Sequence, residues 1–341
     1  MHFFGRLFKV LEKIPANRRL VEELYVHAKI SHEAKEYALD VLYPADKWGL
    51  WISRTFLAIG SALILAGVVY FFAFNWAKIP PLVKFSSIQI AMVGCLAGAY
   101  FYSLKRISGQ VLLLSASLLT GVFMAVFGQI YQTGADAYQL FMMWSLLTLG
   151  WTLISNFAPQ WIFWLAITNT FFILWWKQAA LPDHDMEHMI YFFLTFLNGS
   201  ALALREYFVE VQDKAWLQPR WIRVLLTIAV LLPLLIPILV FIFEPDKATP
   251  SILITAALGF LGHGLIYAFY RYKMKDMWSL AATMLSVCII VEAIGFKIIH
   301  EMFDDLWFFR FLLMGLMSLG IFTSAVIHLR KTMDVLERDH V

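Results

Sequence analysis

Ten apolar runs occupy most of this chain, and they constrain its fold more than any other feature. A membrane-spanning helix needs roughly 17–25 mainly apolar residues. The runs lie at 55–74, 85–103, 111–127, 140–156, 160–176, 190–204, 222–243, 251–270, 277–299 and 307–329. They do not alternate with period two, as the strands of a membrane barrel do, and helices and closed barrels are the structures that span a bilayer. The sequence therefore predicts an all-α, polytopic integral membrane helix bundle.

Composition agrees with this interpretation. Hydrophobic residues make up 61% of the 341 residues and charged residues 15%, whereas a soluble domain has roughly 45–50% apolar and about 25% charged residues. Three runs are less typical of a membrane span: 140–156 and 160–176 are nearly contiguous, and 190–204 is short. We still predict ten spans, with membrane lipid as a partner.

The charges between the runs predict an orientation. If the N-terminus is cytoplasmic, 21 of the 27 lysines and arginines fall on the cytoplasmic side. The six on the outer side are Lys78, Lys84, Lys177, Lys247, Lys297 and Arg310. This is the bias of the positive-inside rule, so both termini are predicted to be cytoplasmic. The net charge of +3 is then a signal of topology, and we predict no nucleic-acid partner.

The chain divides into three predicted regions: a cytoplasmic helical region at 1–54, a bundle at 55–329 and a cytoplasmic tail at 330–341. In the first region, Asn17 is placed to cap the helix RRLVEELYVHAKI, and Ser31 to cap the helix HEAKEYALDVLY. The earlier stretch FFGRLFKVLEKI is basic and amphipathic, which suits an anionic membrane surface. Alternatively, the three helices pack on one another as a small bundle.

The segment 128–141, GQIYQTGADAYQLF, is predicted to be a non-helical loop on the outer side. This loop, the small-residue helix before it, the phrase FFAFNW at 71–76 and the short N-terminal helices resemble a family of bacterial membrane proteins catalogued as domain of unknown function twenty-one fifty-seven. The resemblance covers roughly the first half of the chain. It implies a location in the bacterial inner membrane and carries over no chemistry.

The same loop supplies most of a predicted binding mouth for a cation or a polar solute. The candidate residues there are Asp136, Gln129, Gln132, Asn75 and Trp76. The structural alternative is a capping box, in which Asp136 and Gln139 together begin the next helix. Trp76 is equally typical of the aromatic belt at a membrane interface.

Two ionisable residues lie inside spans, where such residues are default markers of function. Glu292 lies about four residues from the middle of its span, or roughly 6 Å. It is a proton-coupled carboxyl group, a carboxylate bonded to a serine, threonine or tyrosine of a neighbouring helix, or a carboxylate that faces a water-filled crevice. His263 lies among Gly259, Gly262 and Gly264, which favours a structural histidine in a close helix contact. Lys297 aligns with Glu301 at i+4.

The sequence contains no Walker loop and no HExxH, CxxC, GxSxG or dinucleotide-binding motif. We therefore expect no enzyme activity, no cofactor and no metal site. Two hypotheses about function are left open. One is a secondary transporter or permease for a small polar solute or ion. The other is a non-transporting scaffold, sensor or assembly factor that recruits a protein partner through its N-terminal helices.

Overall fold

The computed structural model describes residues 18–42, 76–132, 134–247, 249–303 and 307–338, together with scattered positions between 49 and 74. These residues contain eleven α-helices and no strand. The predicted span 55–74 and the amphipathic stretch at 3–14 lie largely or wholly outside the described residues. The chain forms two compact units, Met1–Pro80 and Pro81–Val341.

The described part of the first unit begins with a helical hairpin, α1 (Arg18–Val26) and α2 (His32–Leu42). Ser31 caps α2 as predicted, since its Oγ accepts a hydrogen bond from the backbone N–H of Ala34 at 3.2 Å. The predicted extent of α1 is wrong, because Ala28 has a φ of +52°. A left-handed residue ends an α-helix, so the helix stops four residues earlier than its apolar pattern indicates.

The two helices of the hairpin pack on each other through Tyr25. Its ring meets the ring of His32 edge to face, with 5.9 Å between centroids, and the ammonium of Lys35 lies 4.6 Å from its centre. A cation over an aromatic face is attracted by the ring quadrupole. These contacts agree with the small-bundle alternative for residues 18–42.

The second unit contains nine described helices, and each predicted span from 85–103 onward overlaps one of them. They are α3 (Pro81–Tyr102), α4 (Ile107–Tyr131), α5 (Ala137–Ile154), α6 (Ala158–Trp175), α7 (Ile190–Glu210), α8 (Arg220–Phe243), α9 (Pro250–Ala268), α10 (Met277–Met302) and α11 (Trp307–Arg338). Single turns of π-helix extend α6 to Ala180 and α9 to Lys273. Seven of the described helices are long and apolar enough to cross a membrane, and α6 and α7 are not among them. The protein is therefore a polytopic helical membrane protein.

Helix α8 is the centre of the second unit. It contacts α7, α9 and α10, and 56% of its most apolar stretch is buried, against 33% or less in the other six apolar helices. Its side chains form a core with residues of α6 and α7: Ala158, Leu165, Leu202, Ile222, Leu226, Val230 and Leu234. Lipid tails are as apolar as leucine, so van der Waals packing stabilises this core rather than exclusion from water.

Candidate functional site

The segment 128–141 is less open than the sequence predicts. Helix α4 continues to Tyr131, and it ends at Gln132, whose φ of +44° is left-handed. Gln129 therefore lies in the last turn of α4 and not in a loop. A left-handed residue is a common helix terminator. The polar composition of 128–141 predicts a longer loop than the short connection that the structure contains.

Asp136 stands at the N-cap of α5, as predicted, but the capping box is wrong. Its carboxylate makes no capping hydrogen bond, and only its backbone carbonyl accepts the N–H of Gln139, at 3.0 Å. The side chain of Gln178, at the end of α6, takes the capping role and accepts the N–H of Tyr138 at 3.1 Å. The exposed carboxylate of Asp136 stays a predicted ligand group.

The predicted mouth is described in part. Gln129, Gln132 and Asp136 are exposed at the same end of α4 and α5. Trp76 belongs to a 3₁₀ turn, Trp76–Lys78, in the first compact unit, and Asn75 lies outside the described residues. The grouping of these five residues in one site therefore stays a prediction.

Glu292 projects from α10 toward α11, where the hydroxyl of Ser318 is hydrogen-bonded to its Oε1. The same hydroxyl lies 2.9 Å from the carbonyl oxygen of Met314. The other carboxyl oxygen of Glu292 is buried and has no hydrogen-bond partner among the described residues. The bond to Ser318 on α11 is the one that the structural interpretation of Glu292 predicts. The second carboxyl oxygen, Oε2, is left unpaired among the described residues.

Lys297 does not neutralise Glu292. Its ammonium donates to the carbonyl oxygen of Ile242 at 2.7 Å and lies 3.9 Å from the carboxylate of Glu301. The predicted alignment with Glu301 is confirmed. Within the described residues Glu292 belongs to no ion pair, so it remains the least compensated acidic group at depth in the bundle.

His263 is satisfied on both ring nitrogens. Nδ1 lies 2.7 Å from the carbonyl oxygen of Gly259, so Nδ1 carries the hydrogen of that bond. Nε2 lies 2.7 Å from the hydroxyl of Ser286 on α10, and a neutral ring accepts that hydroxyl's hydrogen. The side chain is 4% exposed. The geometry agrees with the structural interpretation, because the ring joins α9 to α10 and both of its nitrogens are used.

An ionic cluster of four buried or half-buried residues joins α7, α8 and the start of α10, and the sequence interpretation missed it. Arg223 binds Glu206 with two parallel bonds of 2.9 Å and Asp276 with one of 3.3 Å. Arg205 donates to Glu206 at 2.8 Å. Bidentate guanidinium–carboxylate pairs are among the strongest hydrogen bonds in proteins.

Backbone groups complete the cluster. Arg205 also donates to the carbonyl oxygen of Leu217 from two nitrogens, at 3.1 and 2.9 Å. Asp276 caps α10 by accepting the N–H of Ser279 at 2.9 Å. From the sequence, the two arginines indicate topology alone. The signal that identifies the cluster is the presence of acids, Glu206 and Asp276, beside them at the helix ends.

A pair of asparagines joins α6 to α7 inside the bundle. Asn169 and Asn198 exchange hydrogen bonds of 3.1 and 2.8 Å. Each also donates to the carbonyl oxygen four residues earlier, Leu165 and Leu194 respectively, at 2.8 Å. All four amide hydrogens are therefore used, and only acceptor lone pairs of this pair are left for another molecule.

Beside this pair lies a cavity of about 560 Å³ between α6, α7 and α8, which we call the α6–α8 groove. Its lining is Ile162, Leu165, Ala166, Asn169, Ile173, Trp176, Lys177, Ile190, Tyr191, Leu194, Asn198, Leu225, Ala229, Leu232, Pro233 and Ile236. The lining is almost wholly apolar apart from the two asparagines and the end that holds Lys177 and Tyr191. Most ligand sites have this composition, with mainly apolar walls and a few placed polar groups.

The comparisons with known proteins bear on the N-terminal part of the chain. No curated protein and no solved structure matches the chain significantly. The family model described as predicted membrane protein (DUF2157) matches residues 23–161, from α1 to the start of α6. Glu292, the ionic cluster and every lining residue of the α6–α8 groove lie beyond the matched residues. The chain is thus similar, over residues 23–161, to the DUF2157 family of predicted membrane proteins, which is the family that its N-terminal half resembles.

Proposed function

We propose that this protein is a secondary transporter or permease for a small polar solute or ion, and that Glu292 takes up and releases a proton in its cycle. We place it in the bacterial inner membrane with both termini cytoplasmic and the mouth around Asp136 facing outward. The distribution of lysine and arginine supports that orientation. Glu292 is the observation that carries the proposal, because an ionisable side chain within a span marks an ion or proton path by default.

The hydrogen bonds around Glu292 support a change of protonation. The hydroxyl of Ser318 has one hydrogen and two acceptors within reach, Glu292 Oε1 and the carbonyl oxygen of Met314. A protonated Glu292 removes this shortage, since it donates to Ser318 while Ser318 donates to Met314. An ionised Glu292 instead accepts the hydrogen bond that the hydroxyl of Ser318 donates. The site therefore offers one bonding pattern for each protonation state, which a proton-coupled group needs.

A second candidate function is partner recruitment by the α1–α2 hairpin. Three of its apolar side chains are strongly exposed: Val26 by 77%, Tyr37 by 73% and Val41 by 61%. Exposed apolar groups on one small element are typical of a protein or membrane contact. In that case the bundle is a scaffold that anchors the hairpin, and Glu292 has a structural role.

Proton flux in proteoliposomes distinguishes the two functions. Amino acids, sugars and inorganic cations are added one at a time outside vesicles that have an inside-negative potential. With the transported solute, we expect the interior of wild-type vesicles to acidify faster than that of empty vesicles. Glu292→Gln keeps the shape of the side chain but removes the titrating proton, so its rate is expected to fall to that of empty vesicles. The rate is read from a pH-sensitive dye inside the vesicles.

Glu301→Gln is the matched control, because Glu301 lies on the same helix and its side chain is 64% exposed. This variant is expected to acidify its vesicles as fast as wild type. Equal rates for wild type and Glu292→Gln, or no flux above empty vesicles with any solute, contradict the proposed transport. In that event a cellular function that tolerates Glu292→Gln but is lost on deletion of residues 1–45 favours the scaffold.

A further inference from the structure

We infer that the α6–α8 groove binds one anionic phospholipid, with an acyl chain along the groove and the phosphate at Lys177. This site goes beyond the proposed transport, which rests on Glu292, a residue of a different helix pair. Three features of the groove carry the inference: its open apolar walls, its length and its single charged end.

Among the residues that the structure describes, the exposed part of the groove's walls away from Lys177 is apolar. Four apolar residues of its walls are partly exposed: Ile173 by 38%, Leu225 by 39%, Leu232 by 52% and Ile236 by 38%. Leu225, Leu232 and Ile236 belong to α8, which is long and apolar enough to cross a membrane, so we expect these side chains to meet hydrocarbon. The molecule that fills the groove therefore comes from the bilayer, and an acyl chain matches its walls.

The length of the groove fits one long chain. Its lining runs along α6 and its π-helical end from Ile162 to Lys177, a rise of ~22 Å at 1.5 Å per residue. One leaflet contributes about half of a hydrocarbon core of about 30 Å. A chain that enters at Lys177 therefore reaches past the middle of the bilayer, beside Pro233 of α8.

The charged end of the groove fits a phosphate. The ammonium of Lys177 is exposed and has no hydrogen bond or ion pair with the part of the chain that the structure describes. The indole N–H of its neighbour Trp176 donates to the backbone carbonyl of Glu187 at 2.8 Å, which orients the ring beside the groove. The carboxylate of Glu187 lies 3.8 Å from His184. A lysine and aromatic rings at a membrane interface are a common headgroup environment.

The asparagine pair makes a headgroup position midway along the groove unfavourable. Asn169 lies eight residues before Lys177 on the same helix, or ~12 Å deeper. Because the amide hydrogens of Asn169 and Asn198 are all used within the protein, this pair offers a phosphate no hydrogen-bond donor. Among the residues that line the groove, Lys177 carries the positive charge that a phosphate requires, so we place the headgroup at that end.

Native mass spectrometry of the delipidated full-length protein tests the site, with phosphatidylglycerol and phosphatidylcholine of identical acyl chains as probes. We expect wild type to bind phosphatidylglycerol about fivefold more tightly, because one lysine near an anionic headgroup contributes a preference of this size. Lys177→Gln is expected to bind both lipids equally. Ala229→Phe places a ring in the groove and is expected to lose high-affinity binding of both.

Lys78→Gln is the matched control, since it makes the same change of charge at a lysine that does not line the groove. It is expected to keep the fivefold preference. The inference is overturned if wild type and Ala229→Phe bind equally, if wild type does not distinguish the two lipids, or if glycerophosphate without acyl chains competes for the site. Glu292→Gln is expected to bind lipid as wild type does, so that failure of the lipid site and failure of the proposed transport are told apart.

Discussion

Glu206→Ala is expected to lower the free energy of unfolding by about 3–5 kcal/mol, because removal of one partner from a buried ion pair leaves charge uncompensated. Glu206 is 6% exposed and accepts hydrogen bonds from both Arg205 and Arg223. Without its carboxylate, two guanidinium groups face each other at the junction of α7 and α8, and only Arg223 has another carboxylate, Asp276, within reach.

The measurement is reversible unfolding in mixed micelles, followed by circular dichroism. Glu210→Ala is the matched control: it removes the same side chain one turn later on α7, where the residue is exposed. A surface change of this kind is expected to stay within about 0.5 kcal/mol of wild type. If the two variants unfold alike, the ionic cluster does not hold the ends of these helices together.

Gly259→Ala is expected to destabilise the protein by about 1–3 kcal/mol, the usual range for an overpacked core. A Cβ added at Gly259 meets the backbone oxygen of Leu234 at 2.5 Å and the Cδ1 of Ile238 at 2.8 Å. A backbone atom cannot rotate away as the end of a side chain does, so α9 must shift from α8. The carbonyl oxygen of Gly259 also binds His263, and the shift therefore disturbs the bond from His263 to Ser286.

Gly264→Ala is the control for this prediction, and its effect is expected to have the opposite sign. Gly264 lies on the same helix, and nothing lies within 4 Å of a Cβ added there. Alanine is more favourable than glycine within a helix by roughly 0.5–1 kcal/mol, so this variant is expected to be slightly more stable. The same unfolding assay serves for both. Equal destabilisation by the two variants rules out the close contact between α8 and α9.

The sequence predicted what depends on neighbouring residues along the chain. Apolar runs gave nine helices of the bundle, since the length of a run is a local property. The cap at Ser31 and the alignment of Lys297 with Glu301 also follow from spacing alone, and both are confirmed. The glycines near His263 predicted a close helix contact. Gly259 and Gly262 lie in such a contact with α8, whereas nothing lies within 4 Å of a Cβ added at Gly264.

Two errors of the sequence interpretation have local causes, and a third has a distant one. Ala28 and Gln132 both adopt a left-handed conformation. Alanine and glutamine are not residue types that predict this conformation. The first ends a helix early, and the second ends α4 later than its composition predicts. Asp136 and Gln139 have the spacing of a capping box, but Gln178 from another helix supplies the cap, and a local pattern does not contain that competitor.

The ionic cluster and the groove were beyond the sequence because several separate helices build each of them. Glu206, Arg223 and Asp276 belong to different elements, and their meeting depends on how α7, α8 and α10 pack. Glu292 is a different case. Its depth in an apolar run made it a candidate from the sequence, while its partner Ser318 and its unpaired oxygen required the fold.

The most direct test of the central claim is the protonation of Glu292 itself, measured by infrared spectroscopy in lipid across a pH titration. The spectrum of wild type minus that of Glu292→Gln is expected to contain the carbonyl band of a protonated carboxyl group. As pH rises, carboxylate bands are expected to replace it, because the group then releases its proton. A difference spectrum with only carboxylate bands at every pH, or a protonated band that no pH removes, contradicts a proton-exchanging role for Glu292.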